Sequence, residues 1–140
     1  THYEIHSLVY DANRFERIQL VGIALSNLRV LKAFNAAYIT LSQDELDACN
    51  YQKGDTEGLV NYGLSVKGVK LAAIFIENSA DEIIKISLRS KGAIDVNQIA
   101  REHFNGGGHV NAAGGKSDVS LAATVDLFKA LVVNLDSDLE

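Results

Sequence analysis

The stretch "VKLAAIFIE", residues 69–77, constrains the fold of this chain more than any other. Its centre, 71–76, holds only apolar residues. A strand with one face in water alternates apolar and polar side chains. An unbroken apolar run of this length is expected of a strand buried on both faces. "NSADE", 78–82, has the length of a hairpin loop. It leads into "IIKISLRS", 83–90, where Ile84, Ile86 and Leu88 alternate with Lys85, Ser87 and Arg89. "AAYITL", 36–41, reads as a further strand.

Between the strands the apolar period changes to that of helices. Asn13 followed by Glu16 is a capping-box-like start, and Phe15, Ile18, Val21, Leu25 and Leu28 follow at helical spacing. Asp55 can cap a short helix, 56–64, with Leu59, Val60 and Leu64 inward. Asp95 with Gln98 opens another, with Val96, Ile99 and Ala100 inward. Ser117 or Ser120 caps a last helix with Leu121, Val125, Phe128, Leu131, Val132 and Leu135 on one stripe. Strands alternating with helices around one hairpin imply an α/β fold, a mixed β-sheet with helices packed on it. We expect a single domain over 14–140, with 1–13 as a linker or the tail of a preceding domain. His2 and His6 are four apart, but no third metal ligand is near them in sequence.

The 140 residues are 47% hydrophobic and 22% charged, which fits one soluble domain. No apolar run approaches the ~20 residues of a membrane span, and no signal peptide opens the chain. The one cysteine, Cys49, has no partner for an internal disulfide, so a reducing, cytoplasmic setting is expected. The chain opens on Thr1 and contains no Met, and we expect a piece of a longer protein. Net charge is −5, which argues against a surface coated for nucleic acid. Residues 83–116 nevertheless carry Lys85, Arg89, Lys91, Arg101 and Lys116 against Asp95 and Glu102. That local balance of +3 leaves −8 for the remainder. A site for a small anion fits this better than a broad polyanion footprint.

The basic segment contains "FNGGGHVNAAGG", residues 104–115. A P-loop needs G-x-x-x-x-G-K-[ST], and Val110 stands where its first glycine should be. A dinucleotide fingerprint needs a third glycine where Asn111 stands, and a strand rather than a helix before it. The remaining readings are a bare-backbone anion site and a tight turn around a satisfied histidine. In the first, glycines let a ligand approach main-chain amides, and His109 adds one charge-capable donor. A turn needs only one or two glycines, and five in twelve residues carry an entropy cost.

"GGGHVNAAG" resembles the G-G-G-H-x-x-A-A-G motif of the DHH-associated C-terminal domain of DHH phosphoesterases. "NYQKGDTEGLVNYGLSVKGVKLAAIFIE" (50–77) and "IKISLRSKGAIDVNQIAREHFNGGGHVNAAGG" (84–115) match as well, so the resemblance runs from about residue 14. It is strongest to the nanoRNase branch, which acts on short oligoribonucleotides and 3′-phosphoadenosine 5′-phosphate. The resemblance implies a larger N-terminal DHH domain that holds two divalent metals, usually manganese, through residues including an Asp-His-His triplet. The associated domain faces it across a cleft and supplies substrate contacts. Carried over, Gly106, Gly107, Gly108 and His109 would approach the nucleotide and its phosphate, and Arg89 would bind a phosphate. This chain has no Asp-His-His triplet, so it would be the substrate-binding half, with no catalytic residue and no metal ligand of its own.

Ser90, Lys91, Asn105 and Asn111 are further candidates for contact with the substrate, the asparagines equally for capping the turn. Arg101 is expected to face its helix's C-terminal dipole. His103 and Lys116 read as structural, and Asp55, Thr56 and Glu57 as a cap. Two alternatives stay open. One is a non-catalytic RNA-binding module like the glycine-rich domain that closes alanyl-tRNA synthetases, against which the −5 charge speaks. The other is the same architecture acting on polyphosphate or cyclic dinucleotides.

Overall fold

The computed structural model describes residues 14–135. The expected linker 1–13, the Asn13 cap and the pair His2 and His6 lie outside the described residues. Helix α1 (Phe15–Asn27) leads to a short strand β1 (Arg29–Leu31), a 3-10 turn and strand β2 (Ala36–Leu41). Helices α2 (Gln43–Ala48) and α3 (Val60–Leu64) follow, then β3 (Leu71–Asn78) and β4 (Ile83–Ser90). Helix α4 (Val96–His103), strands β5 (Gly107–His109) and β6 (Ala112–Ser117) and helix α5 (Leu121–Asn134) complete the domain. The six strands form one sheet in the order β1-β2-β3-β4-β6-β5. β2 and β3 are parallel, and the other pairings are antiparallel. This is the expected mixed α/β domain.

The sheet is the middle layer of three, and the burial pattern explains the strand sequences. On one side Ala73, Phe75, Ile86 and Leu88 pack with Val96, Ile99, Ala100 and Phe104 of the α4 region and Phe128 and Val132 of α5. Tyr38, Phe75 and Phe128 meet edge-on there, with the closest rings 5.4 Å apart. On the other side Ile39, Leu41, Ala72, Ile74 and Ile76 pack against Leu20 and Ala24 of α1, Leu46 of α2 and Val60 of α3. β2 and β3 therefore face core both ways, which requires apolar residues throughout. β4 has Ile84, Ile86 and Leu88 buried while Lys85 is exposed and Ser87 and Arg89 are half-buried.

Three local expectations are corrected. α1 buries Leu20 and Ala24, whereas Phe15, Ile18 and Leu25 are 68%, 56% and 43% exposed. The helix carries apolar residues on two faces, and the one with the alanine allows close approach to the sheet. Asp55 does not cap a helix 56–64. Gly58 takes a left-handed φ of +80°, which interrupts the helix, and only Val60–Leu64 is regular. Asp55 instead is 5% exposed and accepts from Arg14 Nη1 at 2.7 Å and from the Gln52 amide at 2.9 Å, pinning this loop to the start of α1. Helix α2 was absent from the sequence reading. Ser42 and Glu45 form a reciprocal capping box at its start. Elsewhere Asp95 accepts from the Gln98 amide and Ser120 from the Ala123 amide, as capping residues should.

Candidate phosphate-binding site

The glycine run is not a loop. It forms the edge strand β5, a two-residue turn, and β6, with Gly107 opposite Gly114 and Gly108 opposite Ala113. A side chain at Gly106 would run into the Gly114 carbonyl oxygen and lie 2.6 Å from the Gly115 Cα. One at Gly108 would lie 2.6 Å from the Ala112 oxygen, and one at Gly115 2.5 Å from the Phe104 oxygen. Real Cβ atoms do not come so close, so these three glycines let the hairpin fold onto itself and onto the end of α4. Gly107 differs. A Cβ there would meet only the Asn97 and Arg101 side chains, at 3.2 Å and beyond.

Two residues that hold β5 in place were given other roles or none by the sequence. Asn97 Oδ1 accepts from the Gly108 amide at 2.9 Å and from Arg101 Nε at 3.1 Å. Arg101 thus leans across α4 toward the hairpin rather than serving the helix end alone. The signal was the four-residue spacing of Asn97 and Arg101, which puts both on one helix face.

Register brings the two principal candidates into line. Arg89 on β4 is opposite Ala112, and His109 on β5 is opposite the same Ala112 from its other side. Two strand spacings separate them, about 10 Å between backbones. Among the described residues Arg89 bonds only the neighbouring Leu88 carbonyl, through Nη1 at 2.9 Å, and makes no ion pair. The exposed His109 imidazole has no hydrogen-bond partner among them. Both side chains are thus available to a ligand.

The other candidates divide. Ser90 is 5% exposed, and its Oγ lies 2.6 Å from the Ile94 carbonyl and 3.2 Å from that of Val110. It also accepts from Asn111 Nδ2, which donates to the Gly92 carbonyl as well. Ser90 and Asn111 therefore tie the loop after β4 to the hairpin turn. Asn105 ends α4 in a left-handed conformation, φ +50°, which asparagine tolerates. The Gly106 amide bonds back from there to the Ala100 carbonyl. Lys91 is exposed, and His103 lies 3.8 Å from the adjacent Glu102. A cavity of about 660 Å³ between the 91–95 loop, α4 and α5 is lined by Lys70, Lys91, Ile94, Gln98 and Leu131. It contains neither Arg89 nor the hairpin. Among the described residues no three His, Cys, Asp or Glu side chains gather to hold a metal ion.

This arrangement sits within a recognisable family. Residues 32–134 match the DHHA1 domain model. The chain belongs to the DHHA1 family. An exopolyphosphatase-related protein from Bacteroides fragilis is 39% identical and superposes with a TM-score of 0.90 over 99% of this chain. A 3′,5′-cyclic-nucleotide phosphodiesterase of Helicobacter pylori is 35% identical over 78 residues, half of this chain. A pGpG-specific phosphodiesterase from Vibrio cholerae shares the fold over 88% of the chain, at 13% identity and a TM-score of 0.61. The chain spans 40% of the length of the Bacteroides and Vibrio proteins and 22% of the Helicobacter one. No helix among the described residues is long and apolar enough to cross a membrane.

Proposed function

We propose that this DHHA1 domain is the substrate-binding half of a phosphoesterase that cleaves short oligoribonucleotides or 3′-phosphoadenosine 5′-phosphate. The observation that carries the reading is the alignment of Arg89 and His109 on Ala112, a guanidinium and an imidazole without acidic partners among the described residues, beside a strand almost free of side chains. The planar Arg89 guanidinium suits a bidentate phosphate contact. His109 supplies a second, titratable donor. Gly107 keeps the space beside the Asn97 and Arg101 side chains free of a side chain of its own. The site is an open surface, so we assign its second wall to an upstream DHH domain across a cleft. That domain would hold two divalent ions, manganese in this reading, which supply the attacking water. The buried, unpaired Cys49 fits a reducing, cytoplasmic setting.

The test is titration of the chain with a 5′-phosphorylated dinucleotide, followed by amide NMR. Shifts should concentrate at Gly107, His109 and the Arg89 side chain and should shrink in Arg89→Ala and His109→Ala. The chain with manganese and short RNA should give no turnover. Shifts confined elsewhere, or turnover that scales with chain concentration after repurification, would overturn the assignment.

A further inference from the structure

We propose that Lys85 and Lys116 form a second phosphate subsite on the open face of β4 and β6, for a ligand with linked phosphates. The proposal rests on Arg89 as the first phosphate contact. Lys85 and Lys116 are directly opposite each other in the β4–β6 register. Opposed residues on antiparallel strands stand about 5 Å apart at Cβ, and like charges there are destabilising. Both lysines are exposed, and neither makes an ion pair among the described residues. The fold therefore keeps an unfavourable charge pair where one neutral residue would relieve it.

Position gives the pair a use. Lys85, Ser87 and Arg89 alternate along β4 and share a face. Lys85 lies four residues from Arg89, about 13 Å along the strand. The surface between them is floored by Ser87 and Gly114, opposite each other, and by Ala112. The β3 residues in register on the same face are Ala72, Ile74 and Ile76, all apolar. No carboxylate from β3, β4 or β6 faces this track. Past Lys85 the sign reverses, where Glu77, Glu82 and Asp118 line one recess. The basic track is therefore short and has an end.

A stacked nucleic-acid strand advances ~3.4 Å per phosphate, so about 13 Å corresponds to roughly four nucleotides. A mononucleotide or dinucleotide held at Arg89 falls short of the lysine pair, whereas a chain of about five or more linked phosphates, four steps long, reaches it. An arriving phosphate would also relieve the repulsion between the two ammonium groups. The pair thereby selects for ligand length.

The experiment compares the full chain with its Lys85→Ala/Lys116→Ala variant, using 5′-phosphorylated oligoadenylates of two and six nucleotides and linear polyphosphate. The parent should bind the hexamer about 2- to 30-fold more tightly than the dimer, the range for two exposed ion pairs. The variant should lose that gain and keep its dimer affinity. Its log-affinity salt slope for the hexamer should fall by about 0.7 for each phosphate contact removed. Its melting temperature should equal or exceed the parent's, because a repulsion has gone. A length gain that survives in the variant, or equal weakening for both lengths, overturns the subsite. A lysine-dependent gain seen with polyphosphate alone supports the subsite and names polyphosphate as its ligand. Arg89→Ala should weaken both lengths. If it weakens neither while the gain persists, the Arg89 reading fails and the lysine subsite stands.

Discussion

The Ser90 hydroxyl and the Asn111 side-chain amide meet at 3.0 Å. The contact joins the end of β4 to the turn of the glycine hairpin, so it fixes where Arg89 and His109 stand relative to each other. Ser90 is buried, and its oxygen is engaged by three neighbours. Ser90→Ala should therefore cost stability, about 1–3 kcal/mol for the groups left unpaired. Dinucleotide affinity measured well below the melting temperature should change little. Loss of affinity in a variant that melts like the parent would instead make Ser90 a direct ligand contact.

The hairpin glycines should separate by role. Gly106→Ala and Gly108→Ala should each destabilise by more than about 2 kcal/mol, because the new methyl meets main-chain atoms that have no room to move. Gly107→Ala should cost under about 1 kcal/mol, since it meets only the Asn97 and Arg101 side chains. It should weaken ligand binding all the same. Chemical denaturation and dinucleotide titration of the three variants test this. Equal destabilisation in all three would remove the distinction.

Acid should loosen the Asp55 anchor. Burial pushes this carboxyl's pKa up, but the Arg14 hydrogen bond, the Gln52 amide and the charges of Arg14 and Arg17 outweigh it, so the net shift is downward. A group with a depressed folded value adds stability above its unfolded value, here 3.8, and loses it as pH falls through the folded one. Asp55→Ala should cost about 2 kcal/mol at pH 7. The gap between variant and parent should narrow steadily below about pH 4. A gap that stays constant down to pH 2.5 would exclude this linkage.

His109 is exposed and makes no hydrogen bond among the described residues, so its removal should leave the melting temperature unchanged. In the protein that joins this domain to its catalytic half, His109→Ala should lower turnover roughly 30- to 1000-fold, as loss of a donor to the transition state does. Steady-state kinetics on a dinucleotide, with melts alongside, provide the check. Intact turnover with a sharply lower melting temperature would make the imidazole a structural pin.

The strands were legible because their burial is uniform. Leu71–Ile76 faces core on both sides and 83–90 on one, and each pattern is written in consecutive residues. α1 was legible as a helix but not in its orientation, because Phe15 and Ile18 advertise one apolar face while Leu20 and Ala24 fill the core. Asp55 looked like a cap because its partner, Arg14, is 41 residues away. The glycine run was read as clearance for a ligand. Much of it is clearance for the chain's own backbone, a requirement set by the pairing of β5 with β6 and by Phe104. Asn97 escaped notice because its role depends on where β5 comes to lie.

Both margins of the sheet are three-residue strands, Arg29–Leu31 at one side and Gly107–His109 at the other. An exposed strand edge offers unpaired main-chain groups to any other chain, and long flat apolar edges are how soluble domains aggregate. Here the four longer strands all lie inside. One margin offers a charged Arg29 and the other two glycines and a histidine, so neither gives a neighbouring molecule much to extend. The domain can leave a bare main-chain surface open to small ligands without inviting copies of itself to continue the sheet.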